Sequence, residues 1–178
     1  TLHSHQGLTY GGIVTKSKIK FTDLCQLTYS ILFFLKENKI ERILLKKAPS
    51  IYFSETTEET AILFNFLEAK KIKQEVSLSV DLKNKIGFTA SKRQSISNSK
   101  KHGLNIVETN NFSDYWNSVL IPNLKKKYNE KPVHNLDEIT LLNKRFPKNI
   151  KQFNVYNNKQ IIAGVTIFET ENVAHSQY

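Results

Sequence analysis

The chain has 178 residues, of which 39% are hydrophobic and 24% charged, so disorder over most of its length is excluded and one full domain or two small ones are expected. The longest purely apolar run, Ile31–Leu35, falls far short of the roughly 20 residues that cross a bilayer, and the single cysteine, Cys25, excludes an intrachain disulfide framework and a Cys-rich zinc site. Lys and Arg number 26 against 16 Asp and Glu, a net charge of +10, which favours contact with an anion (nucleic acid, a phosphorylated cofactor or an anionic surface) or simply a Lys-rich solvated surface.

In chain order, Gly7 to Val14 reads as a turn-rich lead into a short strand, with Gly11 and Gly12 marking backbone bending or close approach. Thr22 to Asn38 has helical spacing at Leu24, Leu27, Ile31 and Leu35, with Asp23 in the first turn and Cys25 read as a small core residue. Arg42 to Lys46 is a short strand closed by Pro49. Thr56 and Glu59 form a capping-box pattern before a helix with Ile62, Leu63, Phe66 and Leu67 on one face. Val76, Leu78, Val80 and Leu82 alternate with Ser77, Ser79 and Asp81, the pattern of a half-buried strand.

The character changes at Lys83. Between Lys83 and Gly103 there is no acidic residue. Thr89 to His102 reads as a helix closed by Gly103. It carries Lys92, Arg93, Lys100 and Lys101, a candidate surface for tRNA phosphates or an anionic cell-wall precursor, or else a solvated face. Leu104 to Val107 is a short strand. Ser113 caps a helix with Trp116, Val119, Leu120 and Leu124 on its face. Asn135 and Glu138 cap another, carrying Ile139 and Leu142 and stopping before Pro147. Ile150–Tyr156 and Ile161–Phe168 form a hairpin turning at Asn157-Asn158, and Asn172–Tyr178 is a last strand.

This order gives an α/β class with a mixed (α+β) sheet, divided into 1–83 and 84–178. Neither an initiator Met nor a secretory signal is present, so the chain is expected to begin inside a longer protein.

Three pieces carry a resemblance: Gly7–Gly12, Pro132-Val133-His134-Asn135-Leu136, and Ile162–Phe168 with Ala174–Tyr178. With helix, strand, helix, helix and β-meander in that order, the chain resembles the GNAT superfamily of N-acetyltransferases. It is similar to bacterial, Fem-like proteins of the Bacteroidetes type that carry two such units in tandem. The resemblance implies parts of two acyltransferase units: the C-terminal part of one in 1–83, and the N-terminal part of a second in 84–178, cut within its meander. It implies a cytoplasmic N-acyltransferase that moves an acyl group from acetyl-CoA or another acyl-CoA to an amine-bearing small molecule or peptide, without a metal. The alternatives are a Fem-type transferase using aminoacyl-tRNA and a non-catalytic basic binding module on the same fold. The fourth meander strand should splay to hold pantetheine, and a pyrophosphate-binding helix should follow Tyr178. Lacking it, the 178 residues are expected to be inactive alone.

The candidate catalytic residues are His175, Tyr178 and Glu169. Regular alternation would put His175 and Gln177 on one face and Ser176 and Tyr178 on the other. His175 is a base or a hydrogen-bonded strand histidine, and Glu169 a base or a solvated hairpin acid. His134, in the loop before a capped helix, is a substrate-binding candidate or a turn residue. His3 and His5 lack a third ligand, so no metal site is expected.

Overall fold

The computed structural model describes residues 1–4, 10–15, 19–53 and 58–178. The fold is mixed α/β, with a parallel two-stranded sheet and an antiparallel four-stranded one. The chain divides into two compact units, Thr1–Ser77 and Leu78–Tyr178.

In the first unit, β1 (Leu2–His3) pairs in parallel with β2 (Ile43–Leu44), and Gly11 bridges to Lys47 in the same sense. The sequence had suggested a strand leading up to Val14. Gly7–Thr9 lie outside the described residues, and Ile13 and Val14 join no strand. Helix α1 (Phe21–Glu37) lies within a residue of its expected bounds. It buries a narrow stripe, Leu24, Thr28 and Leu35, and leaves Leu27 and Ile31 exposed. Thr28 enters the stripe because its hydroxyl donates to the Leu24 carbonyl at 2.8 Å, which satisfies the buried oxygen. Helix α2 (Glu59–Phe66) starts at Glu59 with Glu58 at its cap position; the expected partner Thr56 lies outside the described residues. Leu63 alone is buried on it.

The segment with the cleanest alternation is neither paired nor buried. Val76, Leu78, Val80 and Leu82 are 86%, 96%, 62% and 71% exposed. The expectation of a half-buried strand is therefore corrected. Alternation encodes a strand only when a neighbouring strand supplies its hydrogen bonds, and none of the described strands lies beside it.

In the second unit, Thr89 caps α3 (Ala90–Lys101) by accepting from the Lys92 amide at 3.3 Å. Gly103 follows at φ +62°, the left-handed conformation expected of a C-terminal stop. β3 (Asn105–Thr109) leads to α4 (Ser113–Tyr115), a π-helical turn (Trp116–Leu120) and α5 (Ile121–Tyr128). Phe112 holds the α4 cap position, and Ser113 instead bonds Asn111 Oδ1 through its amide and its hydroxyl. α6 (Leu136–Arg145) follows, then β4 (Ile150–Asn157), β5 (Gln160–Glu169) and β6 (Ala174–Ser176). The sheet order is β3-β4-β5-β6, antiparallel throughout. The β4–β5 turn falls one residue later than expected: Asn157 pairs with Gln160, and Asn158 takes φ +55°.

The core of this unit is Phe112, Tyr115, Trp116, Leu120, Ile139 and Ile150, where the helices cover one face of the sheet. The Tyr115 ring packs against β5 at Gly164; a Cβ there would sit 2.5 Å from its ring. Asn143 of α6 donates to the Ile150 carbonyl at 2.8 Å and so ties that helix to β4.

Candidate functional site

Three segments far apart in sequence meet beside Trp116. The indole is fully buried, so its N–H needs a partner, and it donates to the His134 carbonyl at 3.1 Å. That fixes the loop before α6. The α6 capping box fixes it from the other side: Asn135 Oδ1 accepts from the Glu138 amide, and Glu138 Oε2 accepts from the Asn135 amide. Held between them, His134 meets Tyr178. Its amide donates to the phenol oxygen at 3.1 Å, and its ring Nδ1 lies 2.5 Å from the same oxygen. Trp116 packs edge-on against Tyr178 at 5.1 Å, and Phe168 lies 6.5 Å from the imidazole.

Tyr178 reaches this position through a β-bulge. Regular pairing runs from Glu169↔Ala174 to Ile167↔Ser176. Beyond it, the amides of Gln177 and Tyr178 both donate to the Thr166 carbonyl, and the Thr166 amide donates to the Tyr178 carbonyl. Two residues thus oppose one, which turns Tyr178 toward the core-facing side of Thr166. The simple alternation that grouped Tyr178 with Ser176 is corrected: His175, which pairs with Phe168, and Tyr178 share the inner face.

The charges are set by burial. Desolvation holds the His134 imidazole below its ordinary value, opposed by the Glu138 carboxylate, which raises it. Desolvation also pushes the Tyr178 phenol up, against the lowering effect of the His134 amide. Both groups are neutral at pH 7. In one tautomer the phenol donates to Nδ1. In the other Nδ1–H donates to the phenol, which then accepts twice and directs its own proton elsewhere, while Nε2 is left as an acceptor. The pair can therefore hold or release one proton at either Tyr178 Oη or His134 Nε2.

Beneath this pair runs a chain of hydrogen bonds that the sequence did not reveal. Thr166, Gln152 and Asn154 are each 0% exposed. Thr166 Oγ1 donates to Gln152 Oε1 at 2.5 Å, Gln152 Nε2 to Asn154 Oδ1 at 2.8 Å, Asn154 Nδ2 to Tyr156 at 3.2 Å, and Tyr156 to Asp114 Oδ2 at 2.9 Å. All four bonds point the same way and end on a carboxylate, so each polarises the next. The amides do not relay protons readily. What the chain does is fix Thr166, whose backbone holds the bulge.

Of the sequence-predicted residues, the structure brings His134 and Tyr178 together and sets His175 on their face of the sheet. Glu169 lies on the opposite face, paired with Lys151 at 2.7 Å. That pairing raises the Lys151 ammonium. Lys92, Arg93, Lys100 and Lys101 are all exposed on α3, and no ion pair involves them among the described residues. Of the suggested histidine pair, His5 lies outside the described residues, and no group of three or more potential metal ligands occurs among the described ones. A small hollow in the first unit, lined by Gly11, Gly12, Phe53 and Phe64, holds none of the candidate residues.

No family model, curated protein or solved structure matches this chain. No described helix is long and apolar enough to cross a membrane.

Proposed function

We propose that the second unit is part of a GNAT-like N-acyltransferase, moving an acyl group, acetyl first among candidates, from an acyl-CoA thioester to an amine. The observation that carries this reading is the His134–Tyr178 pair, set at the bulged end of β6 in a strand–helix–helix–meander unit. β6 is the last strand of its sheet, and its outer edge carries no further strand among the described residues. Backbone groups along such an edge suit the amide-bearing arm of acyl-CoA.

The thioester supplies the activated carbonyl. As the amine attacks, a C–N bond forms, the C–S bond breaks and the leaving sulfur needs a proton. Tyr178 Oη is a neutral acid steadied by two hydrogen bonds from His134, and it supplies that proton. His134 Nε2 takes up the proton shed by the amine, directly or through water. Trp116 and Phe168 shield the pair from bulk water.

A second reading is a Fem-type transfer from aminoacyl-tRNA, which the cations of α3 favour. In that case the basic helix holds phosphates while the same pair handles the proton.

The test is single-turnover acyl transfer by the full natural protein from acetyl-CoA to a panel of amines. Tyr178→Phe should lower the rate about 10²-fold or more while leaving donor affinity unchanged. An unchanged rate would remove Tyr178 from the chemistry. Thioester turnover that is absent with every amine, alongside retention of tRNA at physiological salt, would favour the second reading.

A further inference from the structure

Helix α3 has no buried residue along its 12 positions. Ile96, its one large aliphatic residue, is 37% exposed and so partly covered. At about 100° per residue, the side opposite Ile96 carries Gln94, Asn98 and Lys101, within about 60° of one another. Lys92 stands on one flank of that face, and Arg93 with Lys100 on the other.

We infer that α3 enters the major groove of double-stranded DNA, where Gln94 and Asn98 read base edges and the flanking cations hold phosphates on either side. Charge is the first support. From Lys83 to Gly103 there is no Asp or Glu, and the nearest acids along the chain are Asp81 and Glu108. Among the described residues no ion pair involves the α3 cations. A run of cations with no acid beside it is complementary to a phosphate backbone. Shape is the second. An α-helix of this length is about 18 Å long and about 10–12 Å across, and the major groove of B-form DNA is about 12 Å wide.

The third support is the chemistry of the outward face. Ser95 and Ser99 turn their hydroxyls back onto the carbonyls of Ser91 and Ser95. Gln94 and Asn98 bond each other instead: Gln94 Nε2 donates to Asn98 Oδ1 at 3.0 Å. That bond orients both amides and leaves Gln94 Oε1 to accept and Asn98 Nδ2 to donate. In the major groove adenine presents an N6 donor beside an N7 acceptor, the complementary pair.

Other anionic surfaces fit less well. A membrane surface needs an apolar helix face, and Ile96 alone does not make one. Single strands are held by stacking on aromatic side chains, and α3 has none. The A-form major groove is too narrow for a helix, so tRNA can take phosphate contacts from α3 but not base readout. This inference does not rest on either transfer reading.

The test incubates the full chain with a pool of short DNA duplexes with randomised centres at physiological salt, then sequences the retained molecules. An adenine should be enriched at a fixed place. Gln94→Ala with Asn98→Ala should lower affinity for the enriched duplex about tenfold and erase the adenine preference, with retention of the unselected pool changed less than about twofold. Lys92→Gln, Arg93→Gln and Lys100→Gln together should weaken binding to every duplex and lower its salt slope by about two to three units. Because α3 buries nothing, both variants should unfold like the parent when followed by Trp116 fluorescence. Four outcomes would each overturn the inference: no retention of duplex, no enriched adenine, an adenine preference that survives the amide double variant, or tRNA displacing the protein from the enriched duplex as well as that duplex itself does. The last would leave α3 holding phosphates without reading bases.

Discussion

Thr166→Val removes one atom's worth of chemistry from the buried chain and almost none of its shape. The Thr166 hydroxyl donates to Gln152 Oε1 in a site where both residues are 0% exposed. Valine keeps the volume and the branched Cβ but leaves the Gln152 oxygen without its donor, out of reach of water. An orphaned buried acceptor costs about 1–3 kcal/mol, so a loss near 2 kcal/mol is expected. Trp116 is the single tryptophan and is fully buried in the core of Leu78–Tyr178, so its fluorescence reports the unfolding of that unit alone. With a urea slope of about 1–3 kcal/mol per molar, the midpoint should fall by roughly 1 M. Adding Gln152→Met removes the orphaned acceptor, so the double variant should cost less than the sum of the two singles, by about 1 kcal/mol. A midpoint shift below about 0.3 M, or strict additivity, would show that the chain is not a coupled network.

Gly164→Ala drives a methyl to within 2.5 Å of the buried Tyr115 ring, and the same melt should show a loss of about 1–3 kcal/mol, with no loss refuting the tight packing. The lowered His134 pKa sets a sign for pH: the unfolded chain binds a proton below about pH 6.5 while the folded chain resists it. Stability should therefore be full above that value and fall as the pH drops through the folded pKa, and His134→Asn should flatten the profile in urea melts run at each pH. Replacing Lys92, Arg93, Lys100 and Lys101 with Gln should lower the salt slope of tRNA binding by about two to three units in filter-retention assays; an unchanged slope would leave α3 a solvated face.

The local code was enough for much of the second unit. Thr89 and Gly103 delimit α3, Asn135 and Glu138 start α6, and Asn158 turns the β4–β5 hairpin, because caps and left-handed turns are settled by contacts within a few residues. His134 and Tyr178 could be singled out by type and position, yet they are separated by 44 residues, and nothing in the sequence announced that they touch. The bulge that turns Tyr178 inward is made by the backbone of Thr166, so alternation alone pointed the wrong way. β4 shows the same limit. Phe153 and Val155 look like its buried positions, but Gln152 and Asn154 are the residues sealed inside, because Thr166, Tyr156 and Asn111 supply the hydrogen bonds that make burial tolerable. The opposite failure occurs at Val76–Leu82, where a pattern written for burial stands in solvent because the described chain gives it no neighbouring strand. Periodicity and capping are properties of a segment and can be read from it. Which face is buried, and which polar groups it can bury, depends on partners that only the tertiary fold brings within hydrogen-bonding distance.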